Sequence, residues 1–151
     1  MAELKERLRA DLNAAMRARD QVRMRTLRLA LTSITNEEVA GTSARDLTDD
    51  EVVRVLTREA KKRREAAEAF SAAGRSDQAA AERAEGDVLA GYLPAQLSDD
   101  ELAALIDAAI AETGASGRSG LGQVMKTVTP RVAGRADGAR VAAEVRRRLS
   151  S

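Results

Sequence analysis

The sequence predicts an all-α protein made of two helical domains. Apolar residues make up 44% of its 151 residues, with a large share of alanine, and aromatic residues make up only 1%. Alanine has the highest helix propensity and packs into thin, close interfaces. No run alternates apolar and polar residues with the Val, Ile, Thr and aromatic content of a strand. We therefore expect helices packed on helices and no sheet.

The chain divides around Pro94. This residue lacks an amide proton and keeps its predecessor out of helical angles, so a helix ends there. Ser98 then forms a capping box with Glu101, which begins another helix. A helix end followed so closely by a helix start predicts an N-terminal domain over residues 1–93 and a C-terminal domain over residues 94–151.

Four helices are expected in the N-terminal domain. The first runs to about Arg19, and the second begins after Asp20, a residue type that caps helix N-termini. A capping box of Thr48 and Glu51 opens the third, and a glycine-containing break at residues 74–77 separates it from the fourth. Short turns make an up-and-down bundle the simplest packing. The residues expected to face its core are Leu4, Leu8, Leu12, Met16, Met24, Leu27, Leu31, Ile34, Val52, Val53, Leu56, Ala60, Ala67, Phe70, Ala81, Ala84, Val88, Leu89 and Tyr92.

Three shorter helices are expected in the C-terminal domain. The first follows Ser98 and ends at Gly114, the second runs from Leu121 to Pro130, and the third begins after Asp137. The glycines between the first two helices end one and let the next approach closely. The apolar residues expected inside are Leu102, Leu105, Ile106, Ala109, Ile110, Val124, Met125, Val128, Val141, Val145 and Leu149.

Charge is unevenly distributed along the sequence. The net charge is only +1, but after Glu112 eight basic residues face two acidic ones, which gives +6 there and −5 before it. Such polarity favours an anionic partner, with nucleic acid first. Aromatic residues are absent from this segment, so binding would follow the RNA backbone rather than base stacking. The candidate phosphate-contacting residues are Lys126, Arg131, Arg135, Arg140, Arg146, Arg147 and Arg148.

Two other charged stretches have a simpler interpretation. The middle of the third helix, residues 58–65, pairs Glu59 with Arg63 and similar neighbours, which is typical of an exposed helix surface. The arginines around the first helix junction form either a solvated face or a second anion contact. These are Arg17, Arg19, Arg23, Arg25 and Arg28.

The chain contains no cysteine and no histidine. This excludes disulfides, the usual zinc sites and catalysis by Ser–His or Cys–His pairs. The paired carboxylates at 49–50 and 99–100 fall in the first turns of helices, where they stabilise the dipole, and the glycine-rich segment lacks the lysine of a Walker loop. We expect no catalytic residue, no metal site and no cofactor. No signal peptide or membrane span is apparent, and we expect a cytoplasmic protein.

Three motifs together resemble the YqeY family. They read Tyr-Leu-Pro-x-Gln-Leu-Ser-x-x-Glu-Leu from Tyr92, Gly-x-Val-Met-Lys from Gly122, and Pro-Arg-Val-Ala-Gly-Arg-Ala-Asp-Gly from Pro130. The combination is specific, whereas each piece alone is not. The resemblance implies an N-terminal helical domain and a C-terminal three-helix domain, the latter similar to the tail of the B subunit of the tRNA-dependent glutamyl/aspartyl amidotransferase.

In that amidotransferase the tail recognises tRNA, while the glutaminase and transamidation sites lie in other domains. The resemblance therefore implies no self-contained active site, although family members carry the label of carbon–nitrogen ligase with glutamine as amido donor. The leading hypothesis is an accessory module that binds tRNA or an aminoacyl-tRNA complex. The alternative is a scaffold that docks on an amidotransferase or an aminoacyl-tRNA synthetase, through third-helix arginines and a groove near Tyr92. An amidotransferase in its own right is a third hypothesis, which the residue inventory disfavours.

Overall fold

Seven α-helices make up most of the residues that the structure describes, and no strand occurs among them. The structure is a computed structural model and describes residues 3–132 and 134–150. The all-α prediction is confirmed; Ala133, part of the third sequence motif, lies outside the described residues. The helices are α1 (Glu3–Ala18), α2 (Gln21–Glu38), α3 (Asp49–Ala72), α4 (Ser76–Ala90), α5 (Asp99–Thr113), α6 (Leu121–Val132) and α7 (Gly138–Leu149), and a short 3-10 helix (Arg118–Gly120) directly precedes α6.

The chain falls into two compact units, divided between Leu93 and Pro94. The first unit contains α1 to α4 and the second contains α5 to α7. That the units are separate domains, over residues 1–93 and 94–151, stays a prediction. None of the helices described is both long and apolar enough to span a membrane.

Local sequence sets the helix ends in the first unit. The Asp20 side chain accepts a hydrogen bond from the amide of Arg23 at 3.1 Å and caps α2. Thr48 and Glu51 form the predicted capping box of α3. Arg19 has a positive φ of 57°, which few non-glycine residues adopt, and it allows only two residues to separate α1 from α2.

The first unit has an apolar core to which all four helices or their adjoining turns contribute. Met16, predicted to face it, is instead 46% exposed, and Ala15 is buried. The prediction was wrong because residues spaced strictly four apart drift around a helix of 3.6 residues per turn, by about 120° between Leu4 and Met16. Ala81 is likewise exposed, and Ala79 is buried. The core consists of Leu8, Leu27, Ala30, Ile34, Leu47, Val52, Val55, Leu56, Leu89 and Tyr92.

The second unit packs three helices around a core rich in valine. Ser98 and Glu101 form the predicted capping box of α5, and Asp137 caps α7. α6 continues two residues past its predicted end and includes Pro130 in its last turn, where the missing amide costs one hydrogen bond only. The core consists of Leu97, Leu102, Ile106, Ala109, Val124, Val128, Val132, Ala136, Val141, Val145 and Leu149.

Candidate nucleic-acid interface

The seven predicted RNA-contacting residues lie on α6, on α7 and in the loop between these helices. On α7 the buried residues are Val141, Val145 and Leu149, which repeat every four positions. Because one face of the helix is occupied in this way, the basic residues between them lie toward the surface. Lys126, Arg131, Arg146 and Arg147 are exposed, and Arg135, Arg140 and Arg148 are half-buried.

Four of the seven form ion pairs with carboxylates of α5. This helix packs against both α6 and α7, so its acidic side chains lie beside the basic ones. The guanidinium of Arg131, for example, holds the pKa of the Glu112 carboxyl below its usual value. The pairs are Arg131 with Glu112, Arg135 with Glu101 (4.0 Å), Arg140 with Asp99 (2.8 Å) and Arg148 with Asp107 (2.8 Å).

These pairs cancel most of the positive charge that the sequence suggested. The excess of +6 counted after Glu112 omits the five acidic residues of α5, a helix that belongs to the same unit. Over residues 94–151, eight basic residues face seven acidic ones, a net charge of +1, and residues 1–93 hold seventeen of each. The predicted charge asymmetry is therefore wrong for the folded units, because the count was divided inside one of them.

Three basic residues of the second unit have no ion pair within the described part of the chain. Two of them, Lys126 and Arg146, belong to the predicted set, and the third is Arg118. Arg147 is exposed but lies 2.6 Å from Glu144, its neighbour on the same helix. The positive potential of this unit therefore comes from fewer residues than the sequence predicts.

Arg118 and Arg146 meet at a concave pocket of about 360 Å³. The pocket lies where the 3-10 helix and the start of α6 approach the last turn of α7. Of the seven predicted residues it includes Arg146 and Arg147, and it does not include Lys126 or the four that pair with α5. We call it the arginine pocket; its lining residues are Arg118, Leu121, Arg146, Arg147, Leu149 and Ser150.

Two glycines hold Arg118 in this position. Gly117 has φ 64° and ψ −178°, a backbone conformation that is open almost exclusively to glycine. Gly120 is buried, and a Cβ atom there would lie 2.8 Å from the Cβ atom of Ala115. The prediction that glycines permit a close approach in this segment is confirmed at Gly120.

Sequence reasoning missed Arg118 as a candidate. It stands alone in the segment Gly-Arg-Ser-Gly, far along the chain from Arg146, and belongs to no basic run. No local pattern predicts the meeting of these two arginines, because it depends on the 3-10 helix packing against α7.

One carboxylate in the charged middle of α3 is buried rather than exposed. Glu59 on α3 is 8% exposed, and Glu85 on α4 is 6% exposed. Arg63 lies 3.4 Å from each of these carboxylates, and Arg25 of α2 lies 2.6 Å from Glu85. Ser33 of α2 donates a hydrogen bond to Glu59 at 2.9 Å. The interpretation as an exposed helix surface was wrong for Glu59 and Arg63, because α2 and α4 both pack against α3. Four of the eight residues of this segment are exposed, as predicted.

A second buried ion pair joins α1 to α2. The Lys5 ammonium lies 2.8 Å from the Glu38 carboxylate, and the two residues are only 5% and 9% exposed. Glu38 also accepts a hydrogen bond from the amide of Leu47 at 3.3 Å. The hydrogen bond from Lys5 lowers the pKa of Glu38, so the buried carboxyl stays ionised.

Tyr92 also faces inward. Its hydroxyl donates a hydrogen bond to Asp11, and the guanidinium of Arg7 lies 4.7 Å from the centre of its ring. Burial, and after it the bond to Asp11, raises the pKa of Tyr92 to about 12. Because Tyr92 is only 7% exposed, its ring contributes little surface to a partner, and the docking groove near it stays a prediction.

No group of three His, Cys, Asp or Glu side chains is placed to hold a metal ion anywhere in residues 3–132 and 134–150.

A protein-family model described as Yqey-like protein matches residues 5–149, nearly the whole chain. No curated protein matches the chain. The matched range runs through both units and includes the buried ion pairs and most of the arginine pocket.

Proposed function

The chain belongs to the YqeY family, and from this we propose that it is an accessory protein that binds tRNA through its second unit without catalysis of its own. The second unit resembles the tRNA-recognising tail of the amidotransferase B subunit in its sequence motifs. The chain supplies neither cysteine nor histidine as a nucleophile or base.

The observation that carries the proposal is the set of unpaired cations on the second unit. Arg118, Lys126 and Arg146 are exposed and have no carboxylate partner among the described residues. A phosphate that binds one of them does not first have to displace a protein carboxylate. Each such contact releases a counterion and strengthens binding at low salt.

We propose fewer phosphate-contacting residues than the sequence suggested. Four of the seven predicted arginines and lysines are neutralised by α5, and Arg147 is held by Glu144. If three phosphates are contacted, the logarithm of the binding constant should fall with the logarithm of salt with a slope of about −2 to −3. Such a slope corresponds to a small number of phosphate contacts.

The test is binding of the full chain to bulk tRNA across a salt series. We expect the double variant Arg118→Ala and Arg146→Ala to bind more weakly and to reduce the slope by about 1.5 to 2. A matched control removes the same charge from the first unit with Arg17→Ala and Arg28→Ala, both exposed. This control should retain the slope of the unaltered chain.

The outcomes separate the hypotheses. If the unaltered chain does not bind tRNA at low salt, the proposed function is wrong, and the search moves to a protein partner such as an amidotransferase or synthetase subunit. If the first-unit control weakens binding and the second-unit variant does not, the RNA site lies among the arginines of the first unit.

A further inference from the structure

The arginine pocket combines positive charge with an apolar surface. Arg118 and Arg146 present unpaired positive charge, and Leu121 and Leu149 present an apolar wall. An inorganic anion would leave the leucine side chains without a contact, and a purely apolar ligand would leave the arginines without a negative charge to bind. The lining therefore fits a ligand that is both anionic and flat or apolar on one side.

The volume of the pocket limits which ligands can bind. Its volume of about 360 Å³ is near the lower end of the roughly 300–1,000 Å³ found for small-molecule sites. A paired stretch of RNA cannot enter such a space, because its bases are stacked inside the duplex. One unpaired nucleotide meets both requirements, with a phosphate for the arginines and a base with apolar faces.

The three arginines differ in what holds them. Glu144 holds Arg147 through two hydrogen bonds, of 3.0 Å to Nε and 2.6 Å to Nη2, which fix its guanidinium group. A planar guanidinium held in this way can stack against a base even though the segment has no aromatic side chain, contrary to the expectation from the sequence. Arg118 and Arg146 have no such partner in the described residues and are available for phosphate.

From these contacts we infer that the arginine pocket receives a single unpaired nucleotide of the bound RNA, with its base against Leu121, Leu149 and Arg147 and its phosphate at Arg118 and Arg146. The inference rests on the proposed RNA binding and names the part of the RNA that is bound. A free nucleotide has the same chemistry, and the experiment distinguishes the two sources.

The experiment compares three RNAs that share one blunt hairpin. The first is the hairpin itself, the second has one unpaired nucleotide at its 3′ end, and the third has the same extension without the base. We expect the base-containing extension to strengthen binding by about twofold to fivefold, the gain of an exposed cation–π contact, and the abasic extension to give little of this gain. The methyl NMR signals of Leu121 and Leu149 should shift with the base-containing extension only.

Two variants locate the effect without touching the core. Ser150 lines the pocket and is exposed, so Ser150→Glu places a carboxylate beside the phosphate position. It should abolish the gain from the extension. Ser43 is exposed in the first unit, and Ser43→Glu makes the same chemical change there. This control should keep the gain.

Each contrary outcome has a distinct meaning. Binding of the hairpin with no gain from the extension, or equal effects of the two glutamate variants, overturns the pocket assignment while RNA binding stands. Methyl shifts with a free nucleoside monophosphate, without any preference for the extended hairpin, make the pocket a small-ligand site and overturn its assignment to RNA. If none of the three RNAs binds while bulk tRNA does, the pocket assignment is overturned and tRNA binding stands. If bulk tRNA does not bind either, the proposed function itself fails.

Discussion

The two units use the same charged residue types in opposite ways. In the first unit, Lys5, Glu38, Glu59 and Glu85 are all less than 10% exposed, and each of them contacts a polar or charged side chain on another helix. In the second unit no charged residue is buried among those described. Each of its ion pairs has at least one side chain that is 30% exposed or more.

This difference shows that the density of charged residues in a helix does not reveal whether the charges stabilise the fold or shape the surface potential. Removing one partner of a desolvated pair leaves a buried charge without compensation, so the first unit depends on its pairs for stability. Exposed pairs contribute little to stability, and in the second unit their effect is to set the surface potential. The unpaired arginines stand out there because their neighbours have been neutralised.

The largest effect is expected when a buried pair of the first unit is broken. Glu38→Ala leaves the Lys5 ammonium buried without a partner and the Leu47 amide without its acceptor. Breaking a buried ion pair in this way lowers the free energy of unfolding by about 3–5 kcal/mol. Urea denaturation followed by circular dichroism measures it.

The matched control is the adjacent residue. Glu37 pairs with Arg58 at 3.3 Å, with both side chains about half exposed. Glu37→Ala should change the free energy of unfolding by less than about 1 kcal/mol. Equal losses from the two substitutions would show that burial does not distinguish these pairs, and the comparison between the units would lose its basis.

The next effect concerns Tyr92, the only tyrosine in a chain without tryptophan. Its pKa is raised from 10 to about 12 by burial and by Asp11. Because the folded state favours the neutral phenol, this contribution to stability is complete below pH 10 and is lost as the pH rises from 10 to about 12. Ultraviolet titration of tyrosinate should therefore give a midpoint well above that of the urea-unfolded chain.

Asp11→Asn sharpens the same measurement. It removes the carboxylate and leaves the burial, which is the larger cause of the shift, so the midpoint should fall but remain above that of the unfolded chain. A folded chain whose Tyr92 titrates like the unfolded one would contradict the buried position of this ring.

Helix ends could be predicted from the sequence because their causes are local. The capping boxes at Thr48 and Ser98 and the caps at Asp20 and Asp137 all form as expected. A helix cap depends on residues within one turn, so a stretch of three or four residues contains both partners of its hydrogen bonds. The division at Pro94 has the same local origin.

The burial of the charges in the first unit could not be predicted because it depends on contacts with other helices. A weak signal does exist: Glu59 and Arg63 lie at helical spacing between Leu56 and Ala67, in line with the apolar stripe of α3. Glu85 stands in the same way four residues before Leu89. A charged residue within an apolar stripe therefore indicates a charge that is buried against another helix, but not which helix.

In the second unit, a change in packing should matter more than a change in charge. Gly120→Ala brings a Cβ atom within 2.8 Å of that of Ala115, which overpacks the 3-10 helix. We expect a loss of about 1–3 kcal/mol in the free energy of unfolding. Gly122→Ala meets no atom within 4 Å and should be neutral or stabilise α6 by up to about 1 kcal/mol. Similar losses from both would mean that the close approach at Gly120 is absent.

The smallest effect is expected from the exposed pair of Arg140 and Asp99. The two side chains are 34% and 98% exposed and lie 2.8 Å apart. A double-mutant cycle of Arg140→Ala and Asp99→Ala separates their coupling from the effect of Asp99 on the first turn of α5. The coupling energy in urea denaturation should stay below about 1 kcal/mol and decrease with added salt. A coupling energy as large as the loss from Glu38→Ala would mean that ion pairs stabilise both units. The exposed cations at the arginine pocket would then have to be regarded as part of a stabilising network rather than as surface charge.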